Sequence, residues 1–130
     1  MQDKKRYVKY YKYDLLYADL GKTVGTLQGG IRPVMVISSD YANAENSSQL
    51  TVIPMTTKMK NLAVHVLIAP EDVKGYRTNK KSMLLVEQIQ TIHKGQIRAK
   101  IGYASKETGV RSAVDSAVRK YFGMEGDTDV

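Results

Sequence analysis

Short apolar runs broken by glycine and polar clusters fill most of this chain, and towards the C-terminal end the apolar spacing changes to three and four. The segments DLLYADL (14–20), VMVIS (34–38), LTVIPM (50–55) and VHVLI (64–68) carry the aliphatic and β-branched residues of strands and are bounded by turn formers. Pro54 has no N–H for a ladder, so it predicts a bulge or an edge position within the third strand. YANAENSSQ (41–49) reads as a polar loop. PEDVKGYRTNKK (70–81) predicts one helical turn before a long strand over SMLLVEQIQTI (82–92), with a last short strand around 100–103.

In SKETGVRSAVDSAVRKYFG, Val110, Ala113, Val114, Ala117, Val118, Tyr121 and Phe122 fall on one helical face. Ser105 is the expected N-cap, Arg119 and Lys120 suit the negative C-terminal end, and Gly123 suits the stop. No repeat or second domain is visible. The expected architecture is a small, curled, mainly antiparallel sheet or barrel with one C-terminal helix packed against it. This domain is assigned to 14–123, between a basic, tyrosine-rich extension (1–13) and an acidic tail (124–130) that carries Glu125, Asp127 and Asp129.

Composition changes the picture in three ways. With 130 residues, 42% of them hydrophobic, the chain has the make-up of an ordinary globular domain, able to bury roughly two-thirds of its unfolded surface. No apolar run approaches the ~18 residues of a membrane span, and the N-terminus is basic and polar, so a cytoplasmic protein with no membrane partner is expected. The absence of cysteine excludes disulfides and thiolate sites, and two histidines, His65 and His93, make no persuasive metal site, so neither metal nor other cofactor is expected.

A formal charge of +7 favours polyanionic partners, nucleic acid first. The extension interleaves Lys4, Lys5, Arg6, Lys9 and Lys12 with Tyr7, Tyr10, Tyr11 and Tyr13. That pattern fits either a terminus kept soluble by lysine or a surface on which bases stack between phosphate contacts.

The most pointed chemistry lies in QGGIRPV (28–34). Gly29 and Gly30 allow backbone shapes closed to other residues, and Pro33 biases Arg32 towards an extended conformation. Arg32 is therefore mounted to present its planar fork of donors, which matches phosphate oxygens. The alternative is a structural ion pair with Asp14 or Asp19.

The succession DLLYADLGKTVGTLQGGIRPVMVISSD, VIPMTTKMKN, AVHVLI and SMLLVEQIQTIHK resembles the motifs of the MazF/PemK toxin family in order and spacing from about residue 14 to 94. The resemblance implies an SH3-like barrel of the PemK/CcdB kind with a C-terminal helix. It also implies a homodimeric endoribonuclease of a toxin–antitoxin pair that cuts single-stranded RNA without metal, leaving 2′,3′-cyclic phosphate and 5′-hydroxyl ends. A cognate acidic, MazE-like antitoxin would neutralise it. By the same resemblance the catalytic pair falls on Arg32 and Thr56, with RNA contacts at Thr26, Gln28, Lys58, Lys60, Gln88 and Thr91. The segment 21–26 would form a loop over the groove.

The residues leave alternatives beside this. Gln88 is equally a structural amide, His65 reads as structural, Glu87 as a buried paired carboxylate, and Thr57 should face away from Thr56. The family's glutamate ahead of QGG is Leu27 here, its acid before the long strand is Lys81, and its RTIDK reads QTIHK through Gln90 and His93. A non-enzymatic CcdB-like toxin that binds DNA gyrase is the competing fold relative, but its Trp-Gly-Ile ending has no counterpart, since the chain lacks tryptophan.

Overall fold

Alternation of side chains decides how the strands stack. A computed structural model describes residues 7–59 and 62–124. Its strands are β1 (Asp14–Asp19), β2 (Ile31–Val36), β3 (Gln49–Thr56), β4 (His65–Ile68), β5 (Val73–Lys74), β6 (Ser82–Leu85), β7 (Gln90–His93) and β8 (Ile97–Ala104), followed by helix α1 (Val110–Tyr121). Antiparallel pairing runs β4-β6-β3-β2-β1-β8-β5, with β7 also on β3, so the sheet curls into a nearly closed barrel.

Successive residues of β1, β2 and β3 serve two cores. Leu15, Met35, Ile53 and Met55 pack with Leu84, Val86 and the helix residues Val110, Val114 and Ala117. Leu16, Val34, Val36, Leu50 and Val52 pack on the other face with Ile92 and the part-buried Tyr10. These three strands are buried on both sides, and each fully buried aliphatic side chain contributes on the order of 1.5–3 kcal/mol.

Three sequence expectations are corrected. The long strand 82–92 is broken by a 3₁₀ turn at Val86–Gln88. Its two pieces serve different halves of β3: β7 pairs with Gln49 to Val52, and β6 with Met55 and Thr56. The chain bends to pass from one to the other round the corner of the barrel. Pro54 stands opposite Val34 of β2, and on its other side it falls at this change of partner, where no N–H is required.

Ser105 does not cap the helix. It is buried, its amide donates to the Asp72 carbonyl at 2.7 Å, and its hydroxyl accepts from the Glu107 amide at 3.1 Å. The helix begins after Gly109, whose φ of 79° turns the chain into it. The buried stripe is also narrower than the periodicity implied, since Ala113, Tyr121 and Phe122 are exposed. Gly123 does end the helix: its amide bonds to the Lys120 carbonyl and that of Met124 to Arg119, with φ of 67° at the glycine.

The other elements follow the pattern with shifted ends. β2 begins three residues early and so includes Arg32, β8 is longer than expected, and the single helical turn is a 3₁₀ turn at Pro70–Asp72. The described part of the extension, residues 7–13, is packed down. Tyr7 donates its amide to Glu45, and Lys94, buried beneath the rings of Tyr7 and Tyr10, donates to the Ala44 carbonyl at 3.3 Å. Burial lowers the pKa of Lys94, with Lys9 adding repulsion. Lys4, Lys5, Arg6 and the acidic residues of the tail lie outside the described residues.

Tyr13 joins the extension to the helix. Its φ of 74° is in the left-handed region, and it is held there by bonds from its amide to Val36 and from Ala104 to its carbonyl. Its hydroxyl donates to Asp115 at 2.7 Å, while Lys12 and Arg111 lie over its ring. Burial, then the bond to Asp115, pushes the phenol above its ordinary range. The folded state therefore retains this proton at a pH where the unfolded chain has lost it, and stability falls as pH rises above about 10. Tyr13→Phe should reduce that alkaline loss and lower stability at neutral pH by about 1.5–3 kcal/mol, measured by urea unfolding across pH.

Candidate functional site

The two glycines ahead of Arg32 have separate duties. A side chain at Gly29 would collide with the Thr23 backbone nitrogen, so glycine lets the 21–30 loop fold closely on itself. Gly30, at φ of 71°, turns the chain into β2. The turn is closed by amide bonds from Leu20 to Gly30 and from Gly30 to Gly21. At its exit the Arg32 Nε donates to the Gly29 carbonyl at 2.9 Å, which anchors the guanidinium to the backbone.

Neither carboxylate suggested as a partner takes Arg32. Asp14 faces Lys100 at 3.4 Å, and Asp19 faces Arg98 at 3.3 Å. The ion-pair alternative is thereby excluded, and Arg32 is exposed.

Thr56 arrives from the neighbouring strand. The β2–β3 ladder pairs Val34 with Pro54 and Val36 with Val52, after which Arg32 continues opposite Ala18 of β1 and Thr56 opposite Met83 of β6. Thr56 is buried, and its Oγ1 accepts from the Lys58 amide at 3.2 Å, which leaves the hydroxyl proton free to donate elsewhere.

Both residues line a cavity of ≈ 450 Å³ together with Thr26, Gln28, Lys58 and Gln88. The fold thus assembles six of the eight residues named from sequence, drawn from a loop, two strands and the barrel corner. Thr91 lies elsewhere: it pairs with Thr51 across β3 and β7 and lines a separate depression. Thr51 is five residues from Thr56, roughly 16 Å along the strand. Lys60 lies outside the described residues.

Gln88 uses its amide on the loop. Its Oε1 accepts from the Gln28 amide at 2.8 Å and its Nε2 donates to the Thr26 carbonyl at 3.1 Å. Of the two roles open to it from sequence, the geometry displays the structural one.

Glu87 is paired, as expected, with the buried His65, whose Nε2 lies 2.9 Å from its Oε2. Sequence reasoning missed that this pair borders the cavity, where Glu87 is the one carboxylate among the described residues. The 3₁₀ corner places it there, and a continuous strand would have pointed Glu87 and Gln88 to opposite faces. Leu62 and Leu85, also missed, form the apolar part of the wall. Glu87 Oε1 and Gln28 Oε1 are buried with no donor among the described residues.

The profile of a family described as PemK-like, MazF-like toxin of type II toxin–antitoxin system matches residues 11–122. The chain belongs to this family. It is 36% identical over 107 residues to the endoribonuclease EndoA of Bacillus subtilis, covering 82% of this chain and 88% of that one. Identity to the endoribonuclease MazF of Staphylococcus saprophyticus is 35% over 104 residues, covering 78% and 85%. Among solved structures, MazF from Deinococcus radiodurans superposes with a TM-score of 0.71 at 17% identity, covering 90% of this chain and 99% of that one. A mycobacterial endoribonuclease in complex with its cognate antitoxin also gives 0.71, at 16% identity, covering 89% and 97%. This barrel with its C-terminal helix is therefore the fold of MazF toxins.

Removing the Gln88 clamp leaves the Gln28 amide and the Thr26 carbonyl without their partners. Gln88→Leu should speed hydrogen exchange at the Gln28 amide by ~10-fold or more while the β1–β2 ladder stays protected, as read by NMR exchange.

Proposed function

We propose that this PemK-like, MazF-like family member is an endoribonuclease toxin that cuts single-stranded RNA by internal transfer at phosphorus. The single observation that carries this is the convergence of Arg32 and Thr56 on the wall of one cavity, the first anchored through Nε to the Gly29 carbonyl and the second accepting from the Lys58 amide.

A ribose 2′-oxygen lies beside its own phosphate, so cleavage needs alignment and charge stabilisation more than an imported nucleophile. The 2′-oxygen forms a bond to phosphorus while the 5′-oxygen leaves with the electron pair of the broken P–O bond and takes a proton from water. The products are a 2′,3′-cyclic phosphate and a 5′-hydroxyl. Charge gathering on the non-bridging oxygens is met by the terminal nitrogens of Arg32 and the hydroxyl of Thr56. A guanidinium is protonated throughout physiological pH and makes a poor base. The 2′-proton goes instead to Glu87, the cavity's carboxylate, which His65 holds in place. Lys58 and Thr26 are placed for the backbone of the RNA, and Gln28 for a base, on the loop that Gln88 fixes.

The working form is a homodimer. β4 is a sheet edge whose Leu67 is exposed, and it borders an apolar hollow with Met59, Leu62 and Met83. An uncovered edge of this kind invites a second copy. An acidic antitoxin, complementary to the +7 chain, neutralises the toxin in the cytoplasm.

Purified protein should cut single-stranded RNA in EDTA. Arg32→Ala should lower the single-turnover rate by on the order of 10²–10³ with the fold intact, and cutting undiminished by that change would remove Arg32 from the mechanism. Glu87→Gln should lower the single-turnover rate by on the order of 10²–10⁴ with the fold intact. Leu67→Lys should convert the dimer to monomer in sedimentation experiments.

A further inference from the structure

The extension does more than cover a core. Tyr11 and Lys12 come together with Lys74 of β5, Tyr103 of β8, and Lys106 and Arg111 at the start of the helix around a second cavity of ≈ 400 Å³. This is the size range of a small-ligand pocket. It adjoins the Asp14 end of β1, whereas Arg32 lies opposite Ala18, four residues or roughly 13 Å further along that strand. The two cavities share no lining residue among those described.

The chemistry of the lining is specific. Arg111 is fixed: its Nε and Nη2 donate to the Ala104 carbonyl at 3.1 and 2.9 Å, and its guanidinium stacks 4.5 Å from the Tyr13 ring centre. Its remaining terminal nitrogen has no such bond among the described residues. Lys74 and Lys106 form no ion pair among the described residues. Two of the three nearby acids are already engaged. Asp14 accepts from the Tyr11 amide at 2.8 Å and faces Lys100, and Asp40 accepts from the Lys12 amide at 2.7 Å. The third, Glu107, keeps an unpaired carboxylate among the described residues. Tyr11 and Tyr103 are 49% and 42% exposed, so each offers ring surface to a ligand.

Lys12 is held by Asp115 at 3.4 Å, but two unpaired lysines, Lys74 and Lys106, with an unpaired carboxylate and two open tyrosine rings, together describe a nucleotide. The cations meet a phosphate, a ring stacks on the base, and the carboxylate accepts from a base amino group. An acidic peptide would satisfy the cations but would be repelled by Glu107 and would leave the rings without a stacking partner. We infer that this cavity is a second, non-cleaving site for one nucleotide of a single-stranded RNA whose scissile phosphate occupies the Arg32–Thr56 cavity. The inference rests on single-stranded RNA being the substrate.

The test compares fully 2′-O-methylated, fluorescein-labelled RNAs of ~6 and ~16 nucleotides, which cannot be cut and differ in whether they can span both cavities. Tyr103→Ala should weaken binding of the long RNA by ~10-fold, the range of one lost base stack, and leave the short one unchanged. Lys74→Ala with Lys106→Ala should lower the salt slope for the long RNA by about 0.7 per lost phosphate contact, with the rate of cutting a short unmodified RNA unaltered. Unchanged binding of the long RNA, or equal losses for both lengths, overturns the inference. So does a loss confined to a labelled polyglutamate peptide, which would make the pocket a site for an acidic chain. Cutting by the unaltered enzyme separates the two readings. An enzyme that cuts RNA yet shows no length-dependent loss refutes only the second pocket, whereas one that neither cuts nor binds removes the substrate and the pocket together.

Discussion

The antiparallel register between β2 and β3 sets everything at the site. With Val34 held opposite Pro54, Arg32 just before and Thr56 just beyond that pair line one cavity, and a slip by one residue would turn either of them to the other face of the sheet. That register is secured by burial on both sides, because Met35 and Ile53 enter one core while Val34, Val36 and Val52 enter the other. A slip would therefore expose or misplace apolar side chains in two cores at once. The site inherits its precision from a packing constraint that has nothing to do with chemistry.

Preorganisation is then completed by backbone groups. The Gly29 carbonyl anchors Arg32, the Lys58 amide anchors Thr56, and the amide of Gln88 bonds to both the Thr26 carbonyl and the Gln28 amide. Main-chain anchors suit the proposed chemistry, since they fix the direction of the guanidinium without placing a counter-charge against it. The one carboxylate admitted is itself held by a buried histidine, so its position is as fixed as that of the cation.

The extension shows a related economy at the other end of β1. Tyr13, in the left-handed region, lies between Lys12 and Arg111 and bonds to Asp115, which ties the start of the barrel to the helix. The same ring stack fixes Arg111 beside the second cavity. Structural and binding duties thus fall on one aromatic cluster, much as Lys94 under Tyr7 and Tyr10 fastens the chain before it.

Local sequence was sufficient for much of this protein. Short aliphatic and β-branched runs bounded by turn formers marked most strands, the three-and-four spacing and Gly123 marked the helix and its end, and GGIRP marked a mounted arginine, because these depend on contacts between residues close in the chain. Tertiary structure alone decided what depends on distant partners. The run 82–92 is apolar enough for one strand, yet it breaks at Glu87 and Gln88 because β3 needs β7 along one half and β6 along the other. Ser105 has the chemistry of a cap, but the Asp72 carbonyl and the Glu107 amide claim it first. Whether Arg32 would pair with Asp14 or Asp19 was likewise a question of which cations reached those carboxylates. A sequence fixes what each residue can do nearby, while competition among remote partners for the same hydrogen bond or buried surface is resolved only when the chain closes on itself.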